Sequence, residues 1–148
     1  MTEPTERTGG LVAWTPRVVP GPGLDLTPEQ ELAAALRHLD DVGFSENMTG
    51  HITWQRRGRD TMLVNPWGYW WGECRARDIL EIDADGRVVR GDLDVTPAIP
   101  IHTELHRRRT DARVVVHTHP VYISVWAVFA ELHPIVHQNG SVLADEMV

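Results

Sequence analysis

The stretch Val114–Pro120, which reads VVVHTHP, decides how the chain is interpreted. Its three consecutive valines are β-branched and predict a buried strand. Side chains two residues apart on a strand point to the same face, so His117 and His119 are expected to present both imidazoles to one cleft. Pro120 then ends the strand, because it has no N–H to donate to a neighbour. Two neutral imidazoles on one rigid face are two of the three protein ligands of a typical catalytic metal site; the alternative is a pair of surface histidines.

The composition indicates one acidic domain. The chain has 148 residues and a formal net charge of -7 at pH 7, which is enough length for one domain with its own core. It has no basic stripe, which argues against nucleic acid as a partner. Its N-terminus lacks the apolar stretch of a leader segment and no run reaches transmembrane length, which predicts a cytoplasmic protein without membrane contact. The single cysteine, Cys74, excludes an internal disulfide and is interpreted as a bystander.

The N-terminal region is predicted to be an arm followed by a helix. Met1–Leu26 is rich in Thr, Gly and Pro and is expected to be flexible, so the domain is assigned to residues 27–148. The run Thr27-Pro28-Glu29-Gln30 matches a capping box with proline at the first helical position, and Gly43 is expected to end the helix. The buried face of this helix is predicted to consist of Leu32, Leu36 and Leu39.

The rest of the chain predicts short strands separated by single helices. In chain order these are strands His51–Gln55 and Thr61–Asn65, a hairpin of Ile79–Ile82 and Arg87–Arg90 about Asp85-Gly86, a helix Pro100–Arg109, the strand that ends at His117, a helix Val121–Leu132 that buries Tyr122, Trp126 and Phe129, and a strand Ile135–Gln138. This order predicts an α/β fold, a three-layer α/β/α-like sandwich with a largely antiparallel central sheet. The ending Asp145-Glu146-Met147-Val148 has no terminating helix, glycine or polar tail, and the domain is therefore expected to be incomplete at its C-terminus.

Three segments together resemble a known family. They are TGHIT at Thr49–Thr53, VNPWG at Val64–Gly68, and the helix-to-strand run Ile101–Pro120. In order and spacing, the chain from Leu32 to Gln138 resembles the N-terminal two-thirds of the class II aldolase/adducin domain. The resemblance implies a divalent metal, most often Zn²⁺, held by the two histidines of VVVHTHP. Fe²⁺ and Mn²⁺ suit the same donors.

The resemblance also implies a third metal ligand and an oligomer. That ligand would be a histidine downstream of Val148, and His133 and His137 are weaker alternatives within the chain. Members of the family form tetramers with sites at subunit boundaries, so a homo-oligomer that takes a small-molecule substrate is expected.

Several residues near the predicted metal site are candidates for catalysis or substrate binding. His102 and His106 are four residues apart on a predicted helix and share a face, so they are candidate catalytic residues; the alternative is a histidine packed beneath the site. Trp67, Trp70 and Trp71 are either core and interface residues or the wall of an apolar pocket. The candidate substrate-binding residues lie in the first two family-like segments and are Gly50, His51, Thr53, Asn65, Trp67 and Gly68.

Two departures from the family pattern bear on the substrate. Sugar-phosphate aldolases of the family have a glutamate four residues before the helix histidine and a serine-rich phosphate loop before that glutamate. Here Ala98 and Val95-Thr96-Pro97 occupy these positions. The expected function is therefore a metal-dependent lyase, by aldol cleavage or decarboxylation, that acts on a small non-phosphorylated keto or hydroxy acid. The alternatives are a non-haem iron oxygenase acting on an aromatic keto acid, and a non-catalytic adducin-like assembly domain.

Overall fold

The computed structural model describes residues 23–129. Most of the predicted arm, the predicted strand Ile135–Gln138, and His133 and His137 lie outside the described residues. The helices are α1 (Pro28–Asp41), α2 (Ile99–Arg108) and α3 (Val121–Ala127), with short 3₁₀ turns at Trp71–Glu73 and Ala76–Asp78. The strands are β1 (His51–Gln55), β2 (Met62–Val64), β3 (Leu80–Ile82), β4 (Val88–Arg90) and β5 (Val114–His117).

The start of α1 confirms the predicted cap. The Thr27 hydroxyl accepts the Gln30 backbone N–H at 3.3 Å, and the Gln30 side chain accepts the Thr27 N–H at 2.8 Å. Two of the backbone donors that every helix start leaves unpaired are satisfied in this way. At the other end, Gly43 takes a positive φ of 83°, which ends the helix as expected.

The five strands form one sheet in the order β4-β3-β2-β1-β5, and every neighbouring pair is antiparallel. The hairpin between β3 and β4 turns at Asp85-Gly86 as predicted, with Gly86 at a φ of 83°. The Asp83 carboxylate closes the turn by accepting the N–H groups of Asp85 and Arg87, each at 2.9 Å. The β3–β4 hairpin therefore follows from a local turn signal.

Side-chain alternation places α1 and α2 on opposite faces of the sheet. Ile52 of β1 and Leu63 of β2 pack with Leu32 and Leu36 of α1. Met62 and Val64, the sequence neighbours of Leu63, point to the opposite face. There they pack with Leu80 and Ile82 of β3 and with Ile99 of α2. Since successive strand residues face opposite sides, the two helices cover the two faces. The three-layer sandwich with an antiparallel sheet is confirmed.

The prediction that Val114–Val116 form a buried strand is wrong in one respect. The segment is a strand, but Val114 is 49% exposed and Val116 is 48% exposed. Within residues 23–129, β5 pairs only with β1 and lies at an edge of the sheet. The two valines line an apolar groove of about 280 Å³ with Leu32, Leu39 and Trp54 that α1 covers only in part.

The prediction that the helix after Pro120 is buried is also wrong. Within the described residues α3 ends at Ala127 and buries none of its side chains. Tyr122 is 89% exposed and Phe129 is 64% exposed, because no described element packs over them. None of the helices within residues 23–129 is long and apolar enough to cross a lipid bilayer.

Candidate metal centre

His117 and His119 meet at the C-terminal end of β5. His117 is the last residue of the strand, and the Nε2 atoms of the two rings lie 2.7 Å apart. The ring centroids are 4.8 Å apart and the ring planes are nearly perpendicular, at 72°. Two imidazole nitrogens at this distance share a single hydrogen. A divalent cation would displace that hydrogen, since metal ligation requires unprotonated nitrogen.

Glu46 orients one of these rings. A carboxylate oxygen of Glu46 lies 3.3 Å from Nδ1 of His119, the ring nitrogen that does not face His117. A carboxylate at that position favours a hydrogen on Nδ1 and so leaves Nε2 free for a metal. Sequence reasoning missed Glu46, because it lies in an irregular loop with no motif around it.

His51 lies directly across the sheet from His117. The two residues are register partners in the β1–β5 ladder, and their rings stack with centroids 4.8 Å apart and planes at 26°. The preceding residue, Gly50, has a φ of 85°, a conformation that favours glycine. The pairing therefore places a third imidazole against the first metal-ligand candidate.

Two buried side chains hold the Gly50–His51 backbone in place. The indole N–H of Trp71 donates to the Gly50 carbonyl at 3.1 Å. The Asn65 side chain accepts the N–H of Ile52 at 2.8 Å and donates to the same Gly50 carbonyl at 3.4 Å. Asn65 was predicted to bind substrate, and within the described structure its amide is used to position this loop.

A chain of hydrogen bonds continues from His51 into the protein interior. His51 Nδ1 is 2.9 Å from His102 Nε2, and His102 Nδ1 is 2.8 Å from the Thr53 hydroxyl. The same hydroxyl is 2.8 Å from His106 Nε2, and His106 Nδ1 is 3.2 Å from the Ala112 carbonyl oxygen. The structure thus brings His51, Thr53, His102 and His106 together, all of which the sequence singled out.

Burial keeps these imidazoles neutral. It lowers the pKa of His51 to about 4, with the neighbouring His117 and His119 adding to the effect. It also lowers the pKa of His102 to about 4, with smaller contributions from His51, His117 and His106. The pKa values of His106 and His117 are lowered as well, again mainly by burial. Neutral imidazole is the form that binds metal and accepts hydrogen bonds.

The tryptophans separate into different environments. Trp71 is buried in the core cluster with α1, whereas Trp67 and Trp70 are exposed. The backbone N–H of Trp67 donates to the Asp94 carbonyl at 2.8 Å, and Gly68 follows it at the surface of the same turn. Within residues 23–129, neither Trp67 nor Gly68 has a hydrogen bond or ring contact to the histidine cluster, so their role in substrate binding stays a prediction.

The donors present suit a borderline divalent cation such as Zn²⁺, which prefers imidazole. Two nitrogens converge, and one ring is already oriented by a carboxylate. No three His, Cys, Asp or Glu side chains within residues 23–129 are arranged to hold a metal ion together. Cys74 takes no part in this site, because it is buried in the core and burial raises the pKa of its thiol to about 12.

Comparison with known proteins identifies similar sequences and folds. Residues 30–148 match the profile of the class II aldolase and adducin N-terminal domain. Over 125 residues the chain is 34% identical to an adducin-related protein of Schizosaccharomyces pombe, covering 76% of this chain and 39% of that protein.

Two relatives come from Streptomyces. The decarboxylase NovR of Streptomyces niveus is 33% identical over 112 residues, covering 73% of this chain and 42% of that protein. A 4-hydroxy-3-prenylphenylpyruvate oxygenase/4-hydroxy-3-prenylbenzoate synthase of Streptomyces roseochromogenus has the same identity over the same length, covering 40% of that protein.

The solved structures agree on the fold. An L-fuculose 1-phosphate aldolase from Glaciozyma antarctica superposes with a TM-score of 0.72 at 21% identity, covering 79% of this chain and 49% of that chain. The present chain thus spans about two fifths of the length of the curated relatives and about half of this solved chain.

Proposed function

The chain belongs to the class II aldolase and adducin family, and on that basis we propose that it is a metal-dependent lyase. Its substrate would be a small, non-phosphorylated keto or hydroxy acid, cleaved by an aldol reaction or by decarboxylation. By family resemblance we also propose that it works as a cytoplasmic homo-oligomer, with a small molecule and not nucleic acid as its ligand.

The observation that carries the proposal is the convergence of His117 and His119 on one point, 2.7 Å apart and next to Glu46. These two residues would hold the metal, most favourably Zn²⁺, with Fe²⁺ or Mn²⁺ as alternatives. A divalent cation bound there supplies a Lewis acid that polarises a carbonyl or carboxylate oxygen of the substrate. His51, stacked on His117, would contact the same substrate.

The start of α2 supports a non-phosphorylated substrate. Phosphate is often held by free backbone N–H groups at a helix N-terminus. Here the Ala98 N–H donates to the Thr96 hydroxyl at 3.2 Å, the Ile99 N–H donates to the Thr96 carbonyl at 3.1 Å, and Pro100 has no N–H. Ala98 also occupies the position where sugar-phosphate aldolases carry their glutamate. Both the phosphate donors and the acid/base of that branch are therefore missing from α2.

The metal-binding step can be tested by calorimetric titration of the chelator-treated chain with Zn²⁺. We expect saturable binding that weakens as pH falls, because protonated imidazole does not ligate. His117→Ala and His119→Ala should each abolish it, whereas His38→Ala, an exposed histidine on α1, should not. Equal zinc binding in the double variant and the wild type would refute the proposal and favour the non-catalytic adducin-like alternative.

The substrate class can be tested with the metal-loaded protein by competition between sugar phosphates and aromatic keto or hydroxy acids. Binding of the organic acids with no competition from a sugar phosphate is expected. Tight binding of a sugar phosphate alone would return the protein to the aldolase branch.

The Streptomyces oxygenase/synthase relative keeps a second candidate open, an iron-dependent oxygenase that acts on an aromatic keto acid. Dioxygen uptake distinguishes the two reactions. A lyase should turn over a keto or hydroxy acid equally well under argon and in air, whereas an oxygenase requires Fe²⁺ and consumes dioxygen in step with substrate.

A further inference from the structure

The buried hydrogen-bond chain behind His51 has a fixed direction, and its inner end sets that direction. The Ala112 carbonyl oxygen can only accept, so Nδ1 of His106 must carry the hydrogen of their 3.2 Å contact. Burial lowers the pKa of His106, so the ring is neutral and its Nε2 has a lone pair. The Thr53 hydroxyl, 2.8 Å away, must therefore donate its hydrogen to that lone pair.

The directions of the next two hydrogen bonds, between Thr53 and His102 and between His102 and His51, follow from the number of hydrogens that each group carries. Thr53 has a single hydroxyl hydrogen, and His106 has received it, so the contact to His102 Nδ1 is one in which the hydroxyl oxygen accepts. His102 is 0% exposed, and its two ring nitrogens contact His51 and the Thr53 hydroxyl, neither of which is negatively charged, so a second proton on this ring would leave an uncompensated buried charge. Its Nε2 is thus an acceptor, and Nδ1 of His51 donates to it at 2.9 Å.

We propose that Thr53, His102 and His106 are positioning residues that hold His51, whose ring stacks on His117, as the Nδ1–H tautomer, so that its Nε2 carries a lone pair and no hydrogen. An acceptor at that position selects for an O–H donor on the ligand. It cannot donate to a carbonyl or carboxylate oxygen. Of the two substrate types proposed, this favours a hydroxy acid over a keto acid. Only this last step rests on the proposed function, since the tautomer is set by the protein itself.

The tautomer can be read directly by two-bond ¹H–¹⁵N correlation spectra of the metal-free protein labelled with ¹⁵N-histidine. We expect His51, His102 and His106 each to give the pattern of a neutral Nδ1–H ring. An Nε2–H pattern for His51 in the wild type would overturn the proposal without any variant being needed.

The coupling through Thr53 is tested by Thr53→Val, which keeps the side-chain shape and removes the hydroxyl. His102 and His51 should then show mixtures of both tautomers, and Thr53→Ser should restore the single pattern. Thr103→Val is the matched control, because Thr103 of α2 is also buried and its hydroxyl donates to the Pro100 carbonyl, outside the hydrogen-bond chain of His51. A folded Thr53→Val protein that keeps the single His51 tautomer would refute the role of the chain.

These outcomes are separable from those of the metal experiment. A locked His51 tautomer together with zinc binding that ignores His117 and His119 would leave the inference standing and remove the proposed function. A mixed tautomer in a protein that binds zinc through His117 and His119 would do the reverse.

Discussion

The carbonyl oxygen of His117 lies 2.9 Å from the point that a Cβ on Gly50 would occupy. An atom of the Trp71 ring also lies 2.9 Å from that point. A side chain at position 50 would therefore push β5 away from β1 and separate His51 from His117.

Replacing Gly50 by alanine should destabilise the fold by more than its backbone conformation alone explains. A non-glycine residue at positive φ costs about 1–2 kcal/mol, and overpacking adds about 1–3 kcal/mol. Gly43→Ala is the matched control, because Gly43 has a similar φ of 83° but nothing within 4 Å of its added Cβ. Urea unfolding measures both variants, and equal losses of unfolding free energy would show that the close approach to His117 is unimportant.

Glu46→Gln should weaken zinc binding without unfolding the protein. The amide cannot hold His119 as a carboxylate does, and loss of such an orienting partner typically costs about tenfold to a hundredfold in metal affinity. Zinc titration measures the change, and Glu73→Gln, at an exposed glutamate in a 3₁₀ turn, should bind zinc as the wild type does. An unchanged affinity in Glu46→Gln would mean that the contact to His119 does not orient a ligand.

Stability should decline as pH falls from about 6.5 toward 4, and His102 should account for part of this decline. Burial lowers its pKa to about 4 in the folded chain, whereas the unfolded chain takes up the proton near the ordinary value of 6.5. The unfolded state then binds more protons in this window, so acid favours unfolding. His102→Gln should lower the free energy of unfolding at pH 7 and flatten its dependence on pH between these values. A slope identical to that of the wild type would contradict this assignment.

Glu81 should stabilise the fold at neutral pH through its ionised carboxylate. A hydrogen bond from Thr61, followed by contacts with Arg90 and Arg56, lowers the pKa of Glu81. A carboxyl whose folded pKa is depressed stabilises the fold above its unfolded pKa, about 4.3, and this contribution disappears as pH falls through the folded value. Glu81→Gln should thus be less stable than the wild type at pH 7 and equal to it in strong acid. Thermal unfolding at both pH values measures this, and a constant difference would refute it.

Local signals in the sequence were sufficient for most elements of the fold. The cap at Thr27, the turn at Asp85-Gly86 and the strand His51–Gln55 were predicted correctly, because caps, turns and strand alternation depend on residues close together in the chain. Burial was predicted less well. The exposure of Val114, Val116 and Tyr122 depends on what covers them: α1 covers the two valines only in part, and no described element packs over Tyr122.

The sequence by itself determined that the rings of His117 and His119 would lie side by side, because a two-residue spacing at the end of a strand is a local property of the backbone. Only the tertiary structure decided what surrounds that pair. Strand pairing places His51 against His117, and a loop places Glu46 next to His119. Helix α2 places His102 against His51, which lies 51 positions earlier in the chain. Such contacts depend on how the sheet and helices pack, so the spacing of residues along the chain does not predict them.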